Sequence, residues 1–267
     1  MRNIRRLSII LTILANFCLC SDVLANKKDS SEDKSYKQVF EYIQNKHWQD
    51  AEHLAKKISD KILFKIVLSQ EFLDSNYKNT DFKKIANFLK QNPKWPQNSL
   101  LKTRAEGLIN ENFDKTEIYH WFSKNPPITG CGYKYYALAA SQILTDVNQL
   151  TPIIKDGWIY GSFNKDEQID FYRRFKKFLS KDDIIKRVDN LIWKGSTTLA
   201  KSLFTLVDAG YTKAFEAQIA FSDNKKDAKK LFRTVPKEYY TSGLVYHYIN
   251  SIKSELPESN EIVNLVN

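Results

Sequence analysis

The sequence predicts an all-α protein: an α-superhelix, or solenoid, of stacked antiparallel helix pairs. Glycine (8) and proline (7) are scarce among 267 residues, which disfavours sandwiches and barrels built on many tight turns. Apolar residues recur at three- and four-residue spacing along most of the chain, with no strand-like alternation. The periodic segments run about 10 to 15 residues and are joined by short caps or single prolines, so neighbours should pack antiparallel. No fixed-period motif repeats cleanly, and a closed helical bundle is the competing arrangement.

The elements follow in order. Tyr36 to Gln44 is the first helix, and His47–Trp48 opens a second with Ala51, Leu54, Ala55 and Ile58 on one face. Asp60 starts a third that carries Leu63, Ile66, Val67 and Phe72. Phe82, Ile85, Ala86 and Leu89 form the apolar face of the next, which Pro93 ends by biasing Asn92 away from helical dihedrals. Pro96 suits the start of the following helix, and Trp95, between the two prolines, is placed to fill the wedge between them. Trp121–Phe122 precedes a second proline corner at Asn125–Pro126–Pro127.

Tyr133 to Leu144 carries small residues, Ala137, Ala139 and Ala140, that permit close helix–helix approach, and Leu150 to Trp158 forms its neighbour. Asn164–Lys165–Asp166–Glu167 is a capping-box pattern before Phe171, Tyr172 and Phe175; Ser180–Lys181–Asp182–Asp183 caps the helix of Ile184, Val188, Leu191 and Ile192. Leu199, Leu203, Leu206 and Val207 continue the series to Gly210, read as a C′ residue. Ala214 to Phe221, Ala228 to Phe232 and Leu244 to Ile249 complete it, followed by a turn at 254–260.

Residues 1–25 read as a secretory signal peptide. Arg2, Arg5 and Arg6 precede an apolar run from Leu7 to Leu19, and Val23–Leu24–Ala25 offers a small-residue cleavage site; an uncleaved anchor is the alternative. Residues 26–34 read as a disordered lead-in and 35–267 as the helical domain. Cleavage would remove three arginines and Asp22, lowering the formal net charge from +10 to +8. It would also remove Cys18 and Cys20, leaving Cys131 with no intramolecular partner. No later apolar segment is long enough for a stable membrane span. The expected location is therefore the periplasm, where a basic surface meets no nucleic acid and its acidic partners are wall peptides, anionic lipids or proteins.

Motifs that carry chemistry are missing. His47, His53, His120 and His247 share no ligand spacing with Cys or carboxylates, so no metal or cofactor site is expected. No phosphate-cradling glycine loop or nucleophile elbow occurs. Asp166–Glu167 and Asp182–Asp183 resemble acidic pairs of a glycosidase, but their place in first turns fits capping. Glu106 is the acid that looks most buried, with Arg104 and nearby lysines as the expected ion-pair partners. Tyr133–Lys134–Tyr135–Tyr136 could stack on sugars or simply form a core edge.

Several segments, taken together, resemble the α-helical N-terminal region of the soluble lytic murein transglycosylases. They are Ala51 with Leu54–Ala55, the block Asn92–Pro93–Lys94–Trp95–Pro96 with Leu101 and Arg104–Ala105–Glu106, and Trp121–Phe122 with Pro127–Ile128–Thr129–Gly130–Cys131–Gly132. Ile154–Lys155–Asp156–Gly157–Trp158 and Arg187–Val188–Asp189–Asn190–Leu191–Ile192–Trp193–Lys194–Gly195 follow in the family's order. The resemblance implies a periplasmic superhelix, truncated here relative to the family's ring. The family's lysozyme-like domain, with its single catalytic glutamate, would lie beyond Asn267; its Glu-Ser and Gly-Leu-Met-Gln-type motifs are not found, and the only methionine is Met1. No catalytic residue carries over. The expectation is a non-catalytic scaffold associated with peptidoglycan or a cell-wall enzyme, with self-association through the last repeat; the alternative is one half of a split glycan-cleaving enzyme.

Overall fold

The computed structural model describes residues 31–58 and 60–252. Among them are fourteen α-helices, three short 3-10 helices and no strand, as the scarcity of glycine and the 3.6-residue periodicity require. The expected signal peptide and the turn at 254–260 lie outside the described residues. The chain divides into two compact units at the Thr80–Asp81 junction.

The first unit holds α1 (Ser31–Gln44), α2 (Trp48–Ile58) and α3 (Lys61–Leu73). Its core is Val39, Ala51, Ala55, Leu63 and Val67. Asp60 caps α3 by accepting from Ile62 N at 2.7 Å and Leu63 N at 3.1 Å, and it also accepts from the Tyr36 hydroxyl of α1 at 2.9 Å. One carboxylate thus closes a helix and joins it to another. α1 starts at Ser31, inside the stretch expected to be disordered.

The second unit begins with α4 (Phe82–Gln91), α5 (Asn98–Leu108) and α6 (Lys115–Lys124). Phe82, Ile85, Phe88 and Leu89 bury one face of α4. Asn92 ends it, donating from Nδ2 to Phe88 O at 2.8 Å. Trp95 is only half-buried and meets Phe88 edge-on at 5.4 Å, so it lies over the corner rather than inside a wedge. Pro96 stands in the turn ahead of α5, whose cap position is Gln97.

α7 (Gly130–Ile143) and α8 (Val147–Tyr160) form an antiparallel hairpin: Ser162 N, past the end of α8, donates to Gly130 O at the start of α7 at 2.9 Å. The axes come close because Gly157 faces Ala137; a Cβ at Gly157 would stand 2.4 Å from that of Ala137. α8 starts earlier than Leu150, capped by Asp146, and accommodates Pro152 within its length. α9 (Lys165–Phe175) and α10 (Lys181–Trp193) complete the largest core, around Trp158, Phe171, Phe175, Val188 and Ile192.

The segment after α10 departs from the expected single helix. α11 (Thr197–Lys201) is short, a 3-10 turn spans Phe204–Leu206, and α12 (Ala209–Ser222) follows. Gly210 therefore lies at the start of α12 and does not end a helix. Its missing side chain admits the Tyr239 ring, which would stand 2.4 Å from a Cβ there. α13 (Ala228–Arg233) and α14 (Ser242–Ile252) close the unit, over Ala214, Ala217, Phe221, Phe232 and Leu244.

Candidate functional site

The second unit buries four ionisable side chains: Glu106, Lys134, Asp183 and Arg187. Each one ends at a helix terminus. A terminus leaves backbone groups unpaired, and partial charge of either sign collects there.

Glu106 of α5 is fully buried and serves the start of α7. It accepts from Thr129 N at 2.8 Å, the Thr129 hydroxyl at 2.6 Å and Ile128 N at 3.1 Å. Thr129 in turn caps α7 by accepting from Gly132 N at 3.0 Å. The ion pair expected with Arg104 is replaced by these amide and hydroxyl donors: the carboxylate is directed at a helix start, where donors converge. Gly132 leaves room for it, since a Cβ there would stand 2.3 Å from Glu106 Oε2.

Arg187 of α10 answers the opposite end of the hairpin. Fully buried, it donates from one terminal nitrogen to Trp158 O and to Gly161 O at 3.1 Å, both carbonyls at the C-terminus of α8. Its Nε and other terminal nitrogen both reach Gln168 Oε1, at 2.9 and 2.7 Å. The guanidinium also lies 4.8 Å from the ring centroids of Trp158 and Phe163. Burial pushes it down to about 9, which still leaves it charged at neutral pH. Lys194 adds a bond to Tyr160 O at 3.2 Å. Cations at the negative end of a helix dipole are favourable there.

Asp183 and Lys134 complete the set. Asp183 forms the capping box of α10 with Ser180, and Lys155 of α8 pairs with it at 2.8 Å. Burial acts to raise its pKa, but Lys155 and the Ser180 hydroxyl and amide outweigh it and hold the carboxyl below its ordinary range. Lys134 of α7 pairs at 3.0 Å with Glu167, itself in the Asn164 capping box of α9. One member of each acidic pair that the sequence offered, Glu167 and Asp183, is thus a capping-box residue.

A partly exposed polar node lies one turn back from the end of α10. Asp189 Oδ1 accepts from Gln218 Nε2 of α12 at 2.8 Å and from Thr241 Oγ1 at 3.3 Å. Thr241 Oγ1 also accepts from Leu244 N at 3.2 Å, in the first turn of α14. Gly243 permits the approach: a Cβ would stand 2.2 Å from Asp189 Oδ1. Beyond this node Trp193 and Tyr246, 54% and 50% exposed, meet edge to face at 4.6 Å. The His247 ring packs at 5.8 Å from Trp193 and 5.7 Å from Tyr246. Burial draws the His247 pKa down against the opposing charge of Asp189. Nothing in the sequence pointed to this aromatic pair, because helical spacing alone assigns Trp193 and Tyr246 no face in common.

The remaining candidates are ordinary. Tyr136 packs on Phe122 at 5.4 Å and Tyr119 at 6.0 Å, which makes the Tyr133–Tyr136 run chiefly a core edge. Cys131 is a half-buried free thiol. Among the described residues no group of three or more His, Cys, Asp or Glu could hold a metal, and no helix is long and apolar enough to cross a membrane. A shallow hollow of about 300 Å³ is lined by Asn92, Pro93, Lys94 and Trp95. No family model, curated protein or solved structure matches the chain.

Proposed function

We propose that this chain is a non-catalytic helical scaffold of the cell envelope, its helix pairs stacked as a superhelix, docking on peptidoglycan or on a partner that works there. One observation carries the non-catalytic part. The four buried ionisable groups of the second unit are all spent on helix ends, and each makes hydrogen bonds or ion pairs inside the fold. Cleavage of a glycan strand needs an acid with a raised pKa facing a sugar-filled cleft. Partial burial pushes the Asp156 carboxyl up. It stands on an exposed part of α8, where water screens it.

The envelope and peptidoglycan parts rest on the sequence: the leader-like residues 1–25 and the ordered resemblance of five segments to the transglycosylase helical region. The test is to mix the purified chain with murein sacculi at low and at high salt, sediment the sacculi and assay the supernatant for anhydro-muropeptides. Co-sedimentation without product is expected. Absence of retention at low salt removes peptidoglycan as the partner, and release of anhydro-sugar ends refutes the non-catalytic reading.

A further inference from the structure

The geometry points to a carbohydrate-binding platform on the exposed pair Trp193 and Tyr246, taking a neutral pyranose oligosaccharide. This inference rests on the scaffold reading and gives it a contact surface. Single exposed apolar residues are normal on any protein. This pair differs in three ways.

First, its most exposed side chains are both aromatic. Between Lys176 and Ile252 the exposed large hydrophobic side chains are Trp193 and Tyr246, while the aliphatic residues of the same helices are buried or, like Val245 and Ile249, half-buried. A surface that docks an apolar helix or enters a bilayer presents a broad, exposed apolar face. A surface that stacks a sugar needs ring faces, which carry a negative quadrupole and attract the weakly positive C–H groups of a pyranose.

Second, the rim suits hydroxyl groups. Asn190 lies three residues before Trp193 on α10, and exposed Asn250 lies four after Tyr246 on α14, each on the same helix face as its ring. Side-chain amides both donate and accept, as a sugar hydroxyl does. The Asp189 carboxylate, four residues before Trp193, has its Oδ1 engaged by Gln218 and Thr241. Lys194, next to Trp193 in sequence, has its amine on Tyr160 O.

Third, the rings are held in place before any ligand arrives. Trp193 is the last residue of α10, and a Schellman turn fixes the chain just after it: Gly195 N donates to Ile192 O at 2.9 Å and Ser196 N to Leu191 O at 2.8 Å, with Gly195 at φ +75°. His247 backs both rings. Such order lowers the entropy that binding must spend on side chains.

The test is titration of the purified chain with N-acetylglucosamine tetramer, followed by calorimetry for every variant and by the tryptophan indole N–H resonances. The wild type is compared with Trp193→Ala, Tyr246→Ala and, as a control on the half-buried indole elsewhere, Trp95→Phe. Circular dichroism checks that each variant keeps its helix content. Saturable binding that moves one indole signal in the wild type and whose heat is lost in Trp193→Ala is expected, with affinity falling about tenfold or more in Tyr246→Ala and unchanged in Trp95→Phe. No movement at millimolar sugar overturns the platform, as does equal binding by the folded Trp193→Ala variant, or a response to phosphatidylglycerol vesicles with none to sugar. Sedimentation with sacculi separates the two readings: retention of wild type and Trp193→Ala alike leaves the scaffold standing and removes the platform.

Discussion

Replacing Arg187 with alanine tests whether helix-end chemistry holds the second unit together. The wild-type guanidinium gives hydrogen bonds to Trp158 O, Gly161 O and Gln168 Oε1. Alanine leaves all three acceptors buried without that donor, and each such loss costs about 1–3 kcal/mol. The stacking against Trp158 and Phe163 goes as well. Against this, the variant is freed from burying a charge. Burial draws the guanidinium pKa down to about 9, so the folded state holds the charged form at a cost of a few kcal/mol by order of magnitude, and part of the loss is returned. The net expectation is about 3–5 kcal/mol of destabilisation, the range for removing one member of a buried charged network. In urea, with a slope of about 2 kcal/mol per molar, the midpoint should fall by about 2 M. Equilibrium unfolding followed by tryptophan emission reads this directly, because Trp158 touches the deleted group. Arg187→Lys keeps the charge but loses the fork, and should recover less than half of the lost stability. A shift under about 0.5 M in the alanine variant, or full recovery by lysine, would refute the assignment of Arg187 as the C-terminal clamp of α8.

The remaining predictions concern the other nodes. Glu106→Ala should cost about 3 kcal/mol in the same unfolding assay and Glu106→Gln about half of that, since glutamine keeps one acceptor for Thr129. Gly132→Ala should be destabilising in the wild type and much milder in the Glu106→Ala background, because the carboxylate it would meet at 2.3 Å is gone; additive effects in a double-mutant cycle would show that the two do not share the site. His247 is held below its ordinary pKa by burial, so the unfolded chain binds the extra proton first. Its stabilising effect is therefore complete above about pH 6.5 and fades as pH falls through the folded value. Unfolding midpoints measured from pH 8 to pH 5 should decline less steeply in His247→Gln than in the wild type, and parallel curves would dismiss the effect.

Helix identity was written plainly in the sequence, and helix context was not. The capping boxes at Asn164 and Ser180 are local patterns in which the side chain and the amide it serves lie three residues apart. They could be found without knowing any tertiary contact. Glu106 caps a helix that begins more than twenty residues later, so its chemistry depends on how α5 packs against α7. The nearest charge in sequence, Arg104, was the wrong guide. Gly210 misled for a related reason. A glycine after an apolar run is a good stop signal, but this one makes space for the Tyr239 ring, a contact that only tertiary structure supplies. Trp193 and Tyr246 come together by the same kind of long-range placement, through the Asp189–Gln218–Thr241 node.

The nodes share a pattern that bears on how such a chain could act as a scaffold. Glu106 links α5 to the start of α7, Lys134 links α7 to the cap of α9, Asp183 and Arg187 link α10 to α8, and Asp189 links α10 to α12 and the start of α14. Each tie skips at least one element, and all but the Asp189–Gln218 contact act at a helix end, where they restrict rotation of the helix about its contact as well as sliding along it. Apolar packing alone tolerates both kinds of adjustment, because dispersion contacts are numerous and individually weak. Directional hydrogen bonds to a helix terminus do not. Loosening one tie should therefore shift the helices on its two sides before it unfolds the unit. A variant such as Glu106→Gln, stable but slackened, should show faster amide exchange in the first turn of α7 while α14 stays protected; exchange that accelerates uniformly across the unit would show that the ties act only through global stability.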